Sequence, residues 1–416
     1  MIHSVKRSET FGVGPEESGR SPTDGVQAPP SLPATVRALG WTSFLTDFSS
    51  EAIYPLLPGF VKGLGGTGVE IGLIDGIANA VAAVVRLPSG AISDVIGRRP
   101  LVLAGYGLSA VVRPLMAFAA SPVHVLLVRA ADRFGKGVRA APRDALVADL
   151  VAPAARGSAF GHIRALDHAG AAVGPLAAML FLLVFPGQER RLFLLAILPG
   201  LATLAVIWAA VRDAPRHVSA APRDAIAAGL SRPQAWLLGC VGVWALGAAS
   251  EQFLLLRAAE VGVPQPLVPL VWFGMSLAKS GAAARAGRIA DRVAPRAMLA
   301  LGWLLFAAAY GGLALTGGLP AAIALFVCVG IAYGIAEPAE RALVAALAAD
   351  GRHGAAFGWY ALVQGLMALP AGLLAGWLWD SGPGGPATSF AVTAALAVAA
   401  CGLLFLGRTA PAASSR

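Results

Sequence analysis

Gly90-Ala-Ile-Ser-Asp94-Val-Ile-Gly97-Arg98-Arg99 is a short charged hinge with a long apolar run on each side. A second copy stands at Gly287-Arg-Ile-Ala-Asp291-Arg-Val-Ala-Pro-Arg296. In both, Asp follows Gly by four residues and Arg follows Asp by five, and positions 90 and 287 set the copies 197 residues apart. That offset recurs. Arg156-Gly-Ser-Ala-Phe-Gly161 maps onto His353-Gly-Ala-Ala-Phe-Gly358, and Ala145-Leu-Val-Ala-Asp-Leu150 onto Ala342-Leu-Val-Ala-Ala-Leu347. One match would be chance in an Ala/Gly-rich chain; three at one offset, in one order, read as two parallel halves.

Composition sets the class. Hydrophobic residues make up 57% and charged residues 13%, with a mean hydropathy of +0.70. A bilayer crossing takes about 20 apolar residues, and the chain offers many such runs. The net charge of +9 raises a nucleic-acid partner, but no basic patch interleaved with aromatics occurs. The basic residues sit instead in short loops, as the positive-inside rule requires. Cys240, Cys328 and Cys401 are isolated in apolar runs without metal-ligand or redox spacing. No phosphate-binding loop appears, and the six histidines are scattered away from any nucleophile. An enzyme, a metal site and a bound cofactor are therefore not expected.

Residues 1–34 are rich in Ser, Gly, Pro and charge, which reads as a disordered cytoplasmic tail rather than a cleavable signal. Six helices are expected in residues 35–211, near 36–61, 70–93, 100–120, 122–145, 157–185 and 191–211. A linker, 212–234, carries Arg212, Arg216, Arg223 and Arg232. Six more helices fall in residues 235–408, near 235–258, 265–287, 297–317, 319–346, 355–379 and 386–407, before a short tail, 409–416. The expected fold is thus an all-α membrane protein of twelve transmembrane helices. Arg98/Arg99, Arg143/Arg156, the linker arginines, Arg292/Arg296, Arg352 and Arg408 gather on one side, against Lys62 and Arg190/Arg191 on the other. Both termini are accordingly expected in the cytoplasm.

Six plus six helices, a basic central linker and Gly-x-x-x-Asp-x-x-Gly-Arg-Arg between helices two and three closely resemble the major facilitator superfamily over roughly residues 35 to 408. The resemblance implies two parallel halves around a midplane site. It implies that Gly90, Asp94, Gly97, Arg98 and Arg99 belong to a cytoplasmic gate, with Asp94 meeting a helix end and the arginines pairing across the bundle. A carboxylate near a helix N-terminus is stabilised by unpaired N–H groups, and such a contact breaks and remakes as two rigid halves rock. The second copy, with Gly287, Asp291 and Arg296, has Ala294 and Pro295 in place of Gly97 and Arg98.

Ionisable groups at bilayer depth face the bundle interior or a water-filled cavity. On helix one, Asp47 and Glu51 are one turn apart on a shared face, with Asp47 roughly 16 Å in at about 1.5 Å per residue. Two such carboxylates repel when both are ionised, which suits proton exchange; the alternative is permanent pairing of each with an arginine. Helix two adds Asp75, Asn79 and Arg86. Helix four carries Arg129, Asp132, Arg133 and Lys136 at i, i+3, i+4, i+7, one stripe that reads as a cavity wall. Arg129 and Gly135/Gly137 resemble a family pattern implicated in proton transfer, with a different spacing. Helix five opens with Arg164, Asp167 and His168 at i, i+3, i+4. His168 is a candidate proton group; the alternative is that Asp167 holds Arg164 or an arginine of helix four. Gly170, Gly174 and Pro175 resemble a helix-five motif associated with antiporters, and the same spacing serves helix packing. The second half offers Glu251, Lys279, Glu337, Glu340 and Arg341.

The reading is a secondary active transporter of a small solute in the bacterial cytoplasmic membrane, multi-pass and monomeric. It would work by alternating access with a transmembrane ion gradient, protons first, in place of a cofactor. Efflux by antiport is favoured over proton-coupled uptake, and a non-transporting receptor or scaffold is the remote alternative. The polar groups of the cavity are expected from helices one, four, five, seven and ten.

Overall fold

The computed structural model describes residues 32–152, 156–213, 230–248, 251–289, 293–348, 353–381 and 384–407. The expectations for the amino-terminal tail, the middle of the linker, the carboxy-terminal tail, and Asp291 of the second hinge lie outside the described residues.

The first half contains α1 (Ala34–Ile53), α2 (Leu57–Gly63), α3 (Gly68–Ile96), α4 (Arg98–Val112), α5 (Pro122–Leu150), α6 (Arg156–Val184), α7 (Glu189–Leu195) and α8 (Ile197–Ala210). The second contains α9 (Arg232–Gly247), α10 (Gln252–Glu260), α11 (Val268–Ile289), α12 (Pro295–Leu315), α13 (Leu319–Leu347), α14 (His353–Ser381) and α15 (Pro386–Leu406). Short 3₁₀ turns at Tyr54–Leu56 and Arg113–Phe118 extend α1 and α4. Local chemistry fixes several starts. Thr67 and Glu70 form a capping box at α3, as Ser231 and Gln234 do at α9, each satisfying two orphan N–H groups. Proline occupies the first turn of α5, α12 and α15, where its missing N–H costs nothing.

Ten helical stretches among the described residues are long and apolar enough to cross a membrane. The two long stretches outside that set are residues 34–63 and α5. These hold Asp47 and Glu51, and the Arg129–Asp144 charges. The helices that fail on apolarity are those expected to carry the function.

The internal repeat is visible in three dimensions. The limits of α5 and α13 differ by 197 residues at both ends, as do those of α6 and α14. Neighbours repeat too. The packing of α3 and α4 on α5 is matched by α11 and α12 on α13, and that of α1 on α6 and α8 by α9 on α14 and α15. Across the halves, α3 lies against α14 and α6 against α11.

The α3–α14 contact is made of backbone. A methyl group on Gly72 would strike the backbone of Gly372, and one on Gly376 would strike Gly68. Gly68, Gly72 and Gly76 recur every fourth residue, so one face of α3 is bare. Gly170 and Gly174 serve the same purpose within the first half, against the backbone of Phe44 and Phe48 on α1. Pro175 is buried inside α6 beside them.

Candidate functional site

Between the halves lies a cavity of about 600 Å³. From the first half Glu51, Tyr54, Asp75, Asn79, Arg133 and Lys136 reach it. From the second come Trp244, Glu251, Trp272 and Lys279 on α9–α11, then Tyr333, Glu337, Glu340 and Arg341 on α13, and Tyr360 and Gln364 on α14. Helix α3 contributes Asp75 and Asn79 and α11 contributes Lys279, residues the sequence singles out, whereas the share of α14 was not expected. Helix α6 does not contribute: Arg164, Asp167 and His168 are absent from the wall.

The α5 stripe divides. Arg129 and Asp132, 4% and 3% exposed, are sealed inside the first half. Asp132 accepts from Arg113 Nε at 2.9 Å and lies 3.8 Å from Arg129, which is 3.6 Å from Asp75. Arg113 also donates to the Thr46 carbonyl at 2.8 Å. The Tyr54 ring covers the Arg129 guanidinium at 5.4 Å. Arg133 and Lys136, a turn further on, face the cavity instead. The expected single cavity stripe is therefore two sets, because Tyr54 and Arg113 cover the first pair while Arg133 is half-buried and Lys136 exposed at the cavity. Gly135 and Gly137 permit this burial: Gly135 abuts Gly105 of α4, and Gly137 abuts Ala82 and Val85 of α3. Arg139 closes the layer with a 2.8 Å bond to Ser109 Oγ, its guanidinium 4.6 Å from the Tyr106 ring centroid.

On the facing wall Glu340, 1% exposed, accepts from Tyr360 Oη at 2.6 Å, Trp303 Nε1 at 3.2 Å and Gln364 Nε2 at 3.3 Å. All three donors are neutral. Glu337 sits 3.4 Å from Lys279 and 2.6 Å from Arg341. Glu51 accepts from Trp272 Nε1 across the halves at 3.0 Å. Trp303, Tyr360 and Gln364 carry no sequence signal, since each is a lone polar or aromatic residue in an apolar run.

Asp47 does not accompany Glu51 into the cavity; Lys136 is its foremost cationic neighbour. Asp167 lies 3.6 Å from Arg164 and 3.8 Å from Arg143, which also donates to Ser43 at 3.0 Å. That group ties α5 and α6 to α1. His168 is exposed on α6.

The first hinge differs from expectation. Gly97 has φ +102° and begins α4, a conformation that favours glycine. The carboxylate at the α4 N-terminus is Asp213, accepting from the N–H groups of Arg98 and Arg99 at 3.2 and 3.3 Å. Asp94 pairs with Arg98 one turn on, and Arg98 reaches Asp149 at 3.3 Å. Arg99 donates to the Val211 and Trp208 carbonyls at 2.9 and 3.3 Å. All these partners lie in the same half. In the second half Arg296 binds the Leu404 and Gly407 carbonyls at 2.5 and 3.0 Å, the counterpart of Arg99. Gly90 lies within α3 beside Ala141 and Gly287 near the end of α11.

The cross-half bond made by a helix end is at the opposite pole. Asp380, at the end of α14, accepts from the N–H groups of Gly68 and Val69 of α3, both at 2.9 Å, and lies 3.7 Å from Lys62. Among the described residues no hydrogen bond or ion pair joins the halves at the Arg98 pole. The Asp380 contact thus joins the two halves at that pole.

Comparison with known proteins agrees with this architecture. The family model of the Major Facilitator Superfamily matches residues 39–278 and 238–416. An uncharacterized MFS-type transporter of Methanocaldococcus jannaschii is 29% identical over 362 residues, 85% of this chain and 90% of the relative. A multidrug resistance protein, MdtH, of Aeromonas hydrophila is 28% identical over 304 residues, 72% of this chain and 76% of the relative. Among solved structures, a bacterial homolog of the human lysosomal transporter Spinster, in an inward-facing and occupied conformation, superposes with a TM-score of 0.75 at 18% identity. It covers 89% of this chain and 95% of its own.

Proposed function

Since this chain belongs to the major facilitator superfamily, we propose that it is a proton-coupled exporter of a small solute, working as an antiporter with alternating access. Twelve crossings, cytoplasmic termini and a bacterial cytoplasmic membrane complete the reading, with the Arg98 pole on the cytoplasmic side. What carries it is the cavity. It is charged and walled by both halves, so rocking exposes it to each side in turn. Glu51, Glu251 and Glu340 face it without a basic side chain at salt-bridge distance among the described residues. A carboxyl with no fixed counter-charge is available to take and release protons as the cavity changes sides. Export is supported by the named activity of the Aeromonas relative.

The test uses purified protein in proteoliposomes loaded with a panel of labelled small solutes. Acidifying the outside should accelerate protein-dependent efflux. Slower efflux under the same gradient would reverse the direction to symport, and no protein-dependent flux of any solute would overturn transport.

A further inference from the structure

Once its internal pairs are set aside, the cavity wall carries Arg133 and Lys136 with the single carboxylate Glu51 on the first half, and only carboxylates, Glu251 and Glu340, on the second. Lys279 and Arg341 are both met by Glu337. Arg133 and Lys136, about one turn apart on α5, face the cavity with no carboxylate at salt-bridge distance among the described residues. The Nε of Arg133 is shut off from solvent and has no acceptor. Two neighbouring cations in a low-dielectric wall repel each other and call for an anion. On the facing wall Glu251 has no basic side chain at salt-bridge distance among the described residues, and the donors to Glu340 are uncharged. The aromatic rings of Tyr54, Trp244 and Trp272 line the same cavity.

We infer that the site takes a small amphoteric organic solute, with an anionic carboxylate or phosphate group seated on Arg133 and Lys136 and an amine turned toward Glu251. A guanidinium and an ammonium side by side match such an anion in charge and donor number. A cavity of about 600 Å³ suits a metabolite-sized ligand. A lipophilic cation fits poorly: it adds to the field of Arg133 and Lys136, and its apolar body meets charged walls. The assignment takes from the transport reading only that the cavity is where the solute sits.

Charge-matched thiol reagents test it without a known substrate. Cys240, Cys328 and Cys401 are replaced by alanine, and single cysteines are introduced as Asn79→Cys or Ala248→Cys. Asn79 lies on α3 where it packs against the Arg133 turn, since Gly137 abuts Ala82. Ala248 lines the cavity just before Glu251. Labelling rates are measured for anionic sulfonatoethyl and cationic trimethylammonioethyl methanethiosulfonate, each normalised to free thiol. The anionic reagent should be favoured about fivefold or more at 79 and the cationic one at 248. Arg133→Gln or Lys136→Gln should flatten the ratio at 79, and Glu251→Gln that at 248. Equal ratios at both positions, or ratios indifferent to these substitutions, overturn the amphoteric site. Labelling requires neither gradient nor turnover. A flat ratio therefore removes the solute class while leaving transport standing, and inert proteoliposomes with the stated ratios remove transport alone.

Discussion

Asp132 shows what a single side chain carries here. It stands between Arg113 and Arg129, all three buried, so its loss leaves two guanidinium groups facing each other. Asp132→Ala should cost about 3–5 kcal/mol, the range for breaking a buried pair, read as a fall in the unfolding temperature of the detergent-solubilised protein. Lys136→Gln, at the cavity, should leave that temperature unchanged. The expected loss of transport in Arg129→Ala and Arg133→Ala then has two origins: instability for the first, an emptied wall for the second. Glu340 is the second residue of consequence. Glu340→Gln retains an acceptor for Tyr360 and Trp303 but no longer titrates; it should abolish gradient-driven accumulation and preserve solute exchange. Loss of both activities with folded protein intact would make Glu340 a structural acceptor. The sequence shows that Arg129, Asp132, Arg133 and Lys136 share a helix face. Which of them is covered depends on Tyr54 and Arg113, residues brought there by tertiary packing that periodicity does not encode.

At the scale of elements, helix limits were largely legible, because apolar runs, capping boxes and prolines are local signals. The expected helix near 70–93 is α3, Gly68–Ile96, and that near 319–346 is α13, Leu319–Leu347. The end of α14 was not legible. In the sequence Asp380 is a lone acid at the end of an apolar run, yet it binds the first N–H groups of α3, more than 300 residues away. Nothing near it in the chain announces a partner that consists of backbone. Its carboxylate meets the positive end of the α3 dipole and the Lys62 ammonium. Asp380→Asn should weaken this clamp by about 1 kcal/mol, from the dipole and lost charge assistance, and raise the share of molecules open at that pole. Spin labels on the facing ends of α2 and α14 would report longer distances; an unchanged distribution would reduce the clamp to a passive contact.

For the whole molecule, the two poles make opposite demands. The Asp94–Arg98 pair and the Asp213 cap lie within one half, so they brace the hinge while the Arg98 pole is apart. Crosslinking between the halves at that pole captures only the other state. Asp380→Asn should raise the crosslinking yield, because releasing one pole lets the other meet. An unchanged or lower yield would show that the poles do not alternate. Between them runs the α3–α14 seam, where Gly72 meets Gly372. Meshed side chains would have to ride over one another each time the halves turned, and bare backbones do not. The seam thus behaves as a low-friction bearing, and it leaves the speed of alternation to the carboxylates at its ends. Gly72→Ala, whose methyl meets the Gly372 backbone, should force the two helices apart and slow turnover.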